Sequence, residues 1–143
     1  MKLSSPAFEN ADLIPKKYTC NGDNVSPPLS IENIPQNTGS LTLIVDDPDA
    51  PGGTFVHWVL YNIPPASSIA EGSVPGSQGI NSFKKTGYGG PCPPSGTHRY
   101  FFKLYALDDE LGLDQGCTKQ EVIQAMDGHI IGSAELVGRY GSP

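Results

Sequence analysis

LTLIVDDPDAPGGTFVHWVLYNIP, residues 41–64, frames the rest of this chain. Residues 41–45 and Phe55–Ile63 are rich in β-branched and aromatic side chains, and the segment between them carries prolines and glycines. That pattern predicts two strands joined by a turn. The turn holds Asp46, Asp47 and Asp49, and Pro48 and Pro51 fix φ at two points among them, so the acids are held stiffly. Alternation along the second strand puts Phe55, His57, Val59, Tyr61 and Ile63 on one face, and Val56, Trp58, Leu60 and Asn62 on the other.

A second stretch repeats the design. Residues 87–96, GYGGPCPPSG, form a rigid Gly/Pro loop that runs directly into THRYFFKLYAL, Thr97–Leu107, where His98, Tyr100, Phe102 and Leu104 share a face. Both strands therefore start after a constrained loop and carry a histidine near that start.

The chain has 143 residues, a length that suits one domain spanning residues 1–143. Its 17 Gly and 14 Pro point to many short strands and ordered turns rather than a helical bundle. A formal charge of −6, with only nine scattered Lys and Arg, excludes a broad nucleic-acid footprint, which needs clustered cations. The N-terminal residues hold no apolar run of signal-peptide length, and no stretch of 18 apolar residues occurs, so a cytoplasmic location is expected. Cys20, Cys92 and Cys117 are widely spaced and read as reduced thiols; a Cys20–Cys92 bridge stays open as the alternative, because connectivity is not legible in a sequence.

Before the first hairpin, a short edge strand is expected within residues 2–8 and another at residues 29–34, separated by an irregular stretch in which Pro27 and Pro28 bar a central strand. Residues 64–82 have the composition of a surface loop. One helix is expected to start at Thr118, where TKQE supplies a capping box, with Val122, Ile123, Ala125 and Met126 as its apolar stripe and Gly128 as its stop. A last strand is expected over residues 134–140. The fold class is mainly β, an antiparallel β-sandwich with one or two peripheral helices.

Several chemistries find no motif: there is no GxSxG elbow, no GxxxxGK[ST] loop and no GxGxxG. His57, His98 and Asp47 are ligand types for a divalent metal, but the short spacings that mark such sites are missing, and no metal or cofactor is expected.

The segments DPDAP (residues 47–51), HWVLYNIP (57–64) and GPCPPSGTHRY (90–100) closely resemble the phosphatidylethanolamine-binding protein family, also called Raf kinase inhibitor protein-like, and within it the bacterial and archaeal branch. VSPPL (25–29) and residues 132–141 extend the resemblance along nearly the whole chain. It implies a Greek-key β-sandwich with a small anion pocket for phosphate or a phosphoryl head group. By motif position the pocket residues are Asp47, His57, Pro91, His98 and Tyr100, with Asp49, Arg99, Gly90 and Cys92 supporting.

Physically, such a pocket would draw donors from the backbone amides of the glycine-rich loop, from both imidazoles and from the Tyr100 hydroxyl. Asp47 would orient an imidazole and raise its pKa, or accept from a protonated ligand. Each residue also has an ordinary role: Asp47 and Asp49 as turn caps, the histidines as satisfied core residues, Arg99 as a partner for an acid of the 46–49 turn, Cys92 as an idle thiol. His129 is given no role. The resemblance implies a non-enzymatic binding protein that modulates a partner protein such as a kinase or protease, with a homodimer expected from the prokaryotic branch. Neither nucleic acid nor stable membrane association is expected of so acidic a chain. The rival classes are a hydrolase using an Asp–His pair on phosphoesters, and an inhibitor that acts by protein–protein contact alone.

Overall fold

A computed structural model describes all residues 1–143. Its strands are β1 (Lys2–Ser4), β2 (Leu29–Glu32), β3 (Ser40–Asp47), β4 (Phe55–Ile63), β5 (Ser68–Ile69), β6 (Ser77–Gln78), β7 (Thr97–Leu107) and β8 (Ile130–Gly141), with one α-helix, α1 (Lys119–Met126). They make a three-stranded sheet in the order β1-β2-β5 and a five-stranded sheet in the order β6-β4-β3-β7-β8, with every strand pair antiparallel. The fold is mainly β, as the composition implied.

The sandwich core lies where the sheets face each other. Leu29, Ile31 and Ile69 of the small sheet meet Leu43, Trp58 and Phe102 of the large one. On the outer face of the large sheet, α1 lays Val122 and Met126 against Ile44, Val59 and Tyr61. The helix begins as expected: the Thr118 hydroxyl accepts from the Glu121 amide at 3.1 Å, and the Glu121 carboxylate accepts from the Thr118 amide at 2.9 Å. Ile123, placed in the apolar stripe, stays exposed instead.

Strict alternation fails along β4, and the failure matters for function. Val45 pairs with Trp58 and Asp46 with Val56, so His57 has no partner on β3 and forms a bulge. A second bulge follows where Leu43 pairs with Leu60 but Leu41 with Ile63, and Asn62 takes a positive φ of 54° there. The faces are therefore redistributed. Trp58, Leu60 and Ile63 enter the sandwich core, while Val56, Val59 and Tyr61 pack on the helix side. His57 does not share the face of Val59 and Tyr61.

Three further expectations are corrected. Asp46 and Asp47 end β3 rather than sitting in the turn, so they point to opposite faces. Residues 64–82 contain β5 and β6, each of which adds a short strand to a sheet edge. Cys20 and Cys92 are not reduced thiols but a disulfide, their Cα atoms 5.5 Å apart across 72 positions of sequence; Cys117 alone is free. Such bridges persist in oxidising compartments and inside hyperthermophiles, so the cysteines lend a cytoplasmic location no support. No helix is long and apolar enough to cross a membrane.

Candidate functional site

At one end of the sandwich the starts of β4 and β7 lie beside the end of β3, and a cavity of about 220 Å³ opens there. Asp47, His57, His98 and Tyr100 form its polar wall. Phe55, Phe83, Pro51 and Pro94 are among its apolar lining. Strand β7 alternates regularly through this end, which puts His98 and Tyr100 on the core face and Arg99 outward. The bulge in β4 brings His57 to the same place, its ring 5.2 Å from that of Tyr100 in an edge-on contact.

Both imidazoles are held by Nδ1. His98 Nδ1 lies 2.6 Å from Asp47 Oδ2, and the other Asp47 oxygen accepts from the Asp49 amide at 2.8 Å. Asp47 is thus both a turn cap and the acceptor that orients His98. His57 Nδ1 lies 2.6 Å from the Gly89 carbonyl oxygen, which can only accept, so this nitrogen carries the proton. In each ring Nε2 is left as the remaining polar atom. Burial lowers the His57 pKa, outweighing the Gly89 hydrogen bond and the nearby Asp47 charge that raise it.

Tyr100 presents a different kind of group. Its hydroxyl is buried with no hydrogen-bond partner in the protein, and the Cys92 amide approaches it without completing a bond. Burial, and then the Asp47 charge, push its pKa up, so the group stays a neutral donor. A buried donor without a partner is costly, and the cavity it lines offers room for one.

The supporting residues divide. Asp49 forms a bidentate pair with Arg99, Nε to Oδ2 and Nη2 to Oδ1 both at 2.9 Å, and takes the Arg99 amide as well; the Arg99 guanidinium holds the Asp49 pKa at about 2. This pair clamps the 48–54 turn to the start of β7 outside the cavity. Cys92 lines the cavity as half of the disulfide, not as a thiol. Pro91 is buried but not in the cavity wall; its carbonyl accepts from the Cys20 amide at 3.1 Å. The glycine-rich loop does not offer the amides expected of it at two positions. The Gly89 amide donates to the His57 carbonyl, and the Gly90 amide to Asn24 Oδ1 at 2.9 Å.

Gly90 is needed for close approach. A Cβ there would overlap the Tyr18 carbonyl oxygen and the Asn24 side-chain oxygen. Gly90→Ala is expected to cost about 1–3 kcal/mol or more, read as a lower urea midpoint. An unchanged midpoint would show that the loop is free to yield.

Sequence reasoning missed Phe83. It stacks edge-on against Phe55 at 4.8 Å and His57 at 5.6 Å, yet is still 42 % exposed. A lone aromatic in the polar run NSFKK was the available signal. Asp46, the third acid of the predicted turn, plays no part in the cavity. It is buried on the opposite face, 2.8 Å from Lys119 Nζ and 3.3 Å from Lys103 Nζ, and ties α1 to the sheet. His129 pairs with Asp108 on the surface.

The His57 burial has a consequence for stability. In the unfolded chain this histidine takes up a proton near about 6.5, whereas the fold keeps it neutral to lower pH. Below that point the unfolded state binds more protons, so stability falls as pH drops from about 7 toward about 5. Thermal melts across that range should show a shallower slope for His57→Gln than for the wild type. Equal slopes would mean that His57 titrates alike in both states.

By fold and site the chain is an antiparallel β-sandwich with a cavity and two buttressed imidazoles at one end. The family model described as phosphatidylethanolamine-binding protein matches residues 4–141, and the chain belongs to that family. It is 50% identical to a UPF0098 protein of Methanothermobacter thermautotrophicus, over 98% of each chain, and 48% identical to one from Chlamydia trachomatis with the same coverage. Its fold superposes on a crystal structure of a phosphatidylethanolamine-binding protein homolog from Chlamydia trachomatis with a TM-score of 0.97, at 46% identity over 99% of this chain and 97% of that one. The crystal structure of Escherichia coli YbcL, described as a new member of the mammalian PEBP family, gives 0.91 at 28% identity over 99% and 98%.

Proposed function

We propose that the chain is a non-enzymatic binding protein that captures a small phosphate-bearing anion in the Asp47–His57–His98–Tyr100 cavity and, through the occupied state, modulates a partner protein. The observation that supports this reading is the unpartnered Tyr100 hydroxyl beside two imidazoles whose Nδ1 atoms are already committed. One phosphoryl group would take a donor from Tyr100 and meet both Nε2 atoms. Because burial keeps His57 neutral, its Nε2 accepts, and the matching ligand is a protonated phosphate whose P–OH donates to it. Binding then takes up protons, so affinity rises as pH falls from about 8 to about 6. A flat affinity over that range would count against the proposal.

The direct test follows the three histidines by nitrogen-15 NMR while phosphorylethanolamine is added. His57 and His98 should shift together and His129, which lies against Asp108, should not. A response from neither cavity histidine would end the phosphate reading. The Asp47–His98 pair also has the geometry of a dyad that could activate water, and that second reading makes its own prediction. Turnover of the phosphomonoester in the same sample would replace capture by hydrolysis.

A further inference from the structure

A second groove, also of about 220 Å³, adjoins the cavity, and the two share Phe83 and Cys92 as their common wall. Beyond that wall the lining changes character. Lys85, Thr86 and Asn24 face the groove with no carboxylate among its lining residues. The Lys85 ammonium, the Thr86 hydroxyl and the Asn24 side-chain nitrogen make no hydrogen bond or ion pair within the protein; of the Asn24 side chain only the oxygen is engaged, and Lys85 is engaged only through its backbone.

One buried residue places both sides of this divide. Asn81, only 5 % exposed, accepts from the Phe83 amide at 2.9 Å and the Lys85 amide at 3.2 Å, and donates to the Gly87 carbonyl at 2.9 Å. Between the two clamped amides, Lys84 adopts a positive φ of 63°, a strained conformation for a residue with a side chain. The surrounding contacts hold that strain. The outcome is a loop that sets an aromatic ring over the cavity and a cation over the groove.

We propose that the groove is a second subsite for the ligand of the cavity. That ligand is a small molecule with two anionic groups: a phosphoryl group for the imidazole wall, and a second anion for Lys85, Thr86 and Asn24, joined by an apolar linker lying across Phe83 and the Cys20–Cys92 bridge. The inference rests on the anion-capture reading above. It goes further by specifying the rest of the molecule.

The test titrates the intact protein calorimetrically with methylphosphonate, then with phosphonoacetate, phosphonopropionate, phosphonobutyrate and longer ω-phosphonocarboxylates. Methylphosphonate fills the first site alone. One chain length should bind about tenfold tighter than methylphosphonate, the gain expected of a charge-assisted contact, and raised salt should erode that gain because the lysine is exposed. Lys85→Gln should abolish the gain and leave methylphosphonate affinity unchanged. Its backbone bond to Asn81 survives the substitution, so the fold should persist. Equal affinity along the series, or an equal loss of both ligands in Lys85→Gln, overturns the second subsite. If methylphosphonate itself does not bind, the anion-capture reading falls first, and the subsite with it.

Discussion

His98→Ala is expected to abolish measurable phosphate binding and to destabilise the protein by about 3 kcal/mol, because it strips a buried carboxylate of its partner. Asp47 has a side chain only 4% exposed and is bonded at both oxygens, to His98 Nδ1 and to the Asp49 amide. Removing the imidazole leaves one oxygen facing a void it cannot solvate well. Asp47→Asn should not be the mild isosteric change that its shape suggests. Two donors point at the carboxylate, and an amide has only one acceptor, so the change either sets two N–H groups against each other or forces His98 into the tautomer that carries its proton on Nε2, at a cost of about 1–3 kcal/mol. The double variant His98→Ala with Asp47→Ala should cost less than the sum of the two single changes, since the orphaned group is gone. Chemical denaturation of the four proteins measures this directly. Strict additivity would mean that the pair is not coupled, and His98→Ala binding phosphate as well as wild type would move the site elsewhere.

Replacing both Cys20 and Cys92 by Ser should lower stability by about 2–4 kcal/mol, which corresponds to roughly 10 °C in Tm for a chain of this size. The bridge closes a loop of 72 positions, so its removal chiefly frees the unfolded chain. Affinity for phosphate should change little. The 18–24 segment remains joined to the pocket loop by Cys20 N–H to the Pro91 carbonyl at 3.1 Å, Gly90 N–H to Asn24 Oδ1 at 2.9 Å, and Tyr88 O–H to the Tyr18 carbonyl at 2.7 Å. Thiol titration of denatured, unreduced protein should find one reactive group per chain, Cys117. Three would show that the bridge is absent, and the stability difference should then vanish too.

The site was legible where chemistry is local. Arg99 sits one place from His98 on a strand, so it had to face outward, and its pairing with an acid of the 46–49 turn was foreseeable. The helix start at Thr118 was legible for the same reason, since a capping box is complete within four residues. Tyr100 followed from two-residue alternation along β7, a strand that stays regular through the site.

What was misread depended on partners distant in sequence. His57 was assigned to the face of Val59 and Tyr61 because a strand alone shows only its period of two; the bulge that redirects it arises from the register of β4 against β3. The expected loop amides at Gly89 and Gly90 are taken by His57 and Asn24, acceptors 32 and 66 residues away in the chain. Phe83 gained its place only when folding brought Phe55 alongside.

By itself, then, the sequence determined the strand-rich class, the capped helix, the family and the polar residues of the cavity wall, Asp47, His57, His98 and Tyr100, because those follow from propensity, period and short motifs. Tertiary structure alone decided that Asp46 meets Lys119 while Asp47 meets His98, that both imidazoles are tethered by Nδ1, and that Cys20 meets Cys92. Each of these is a matter of distance between segments far apart in the chain, and such distances are set by how the two sheets pack.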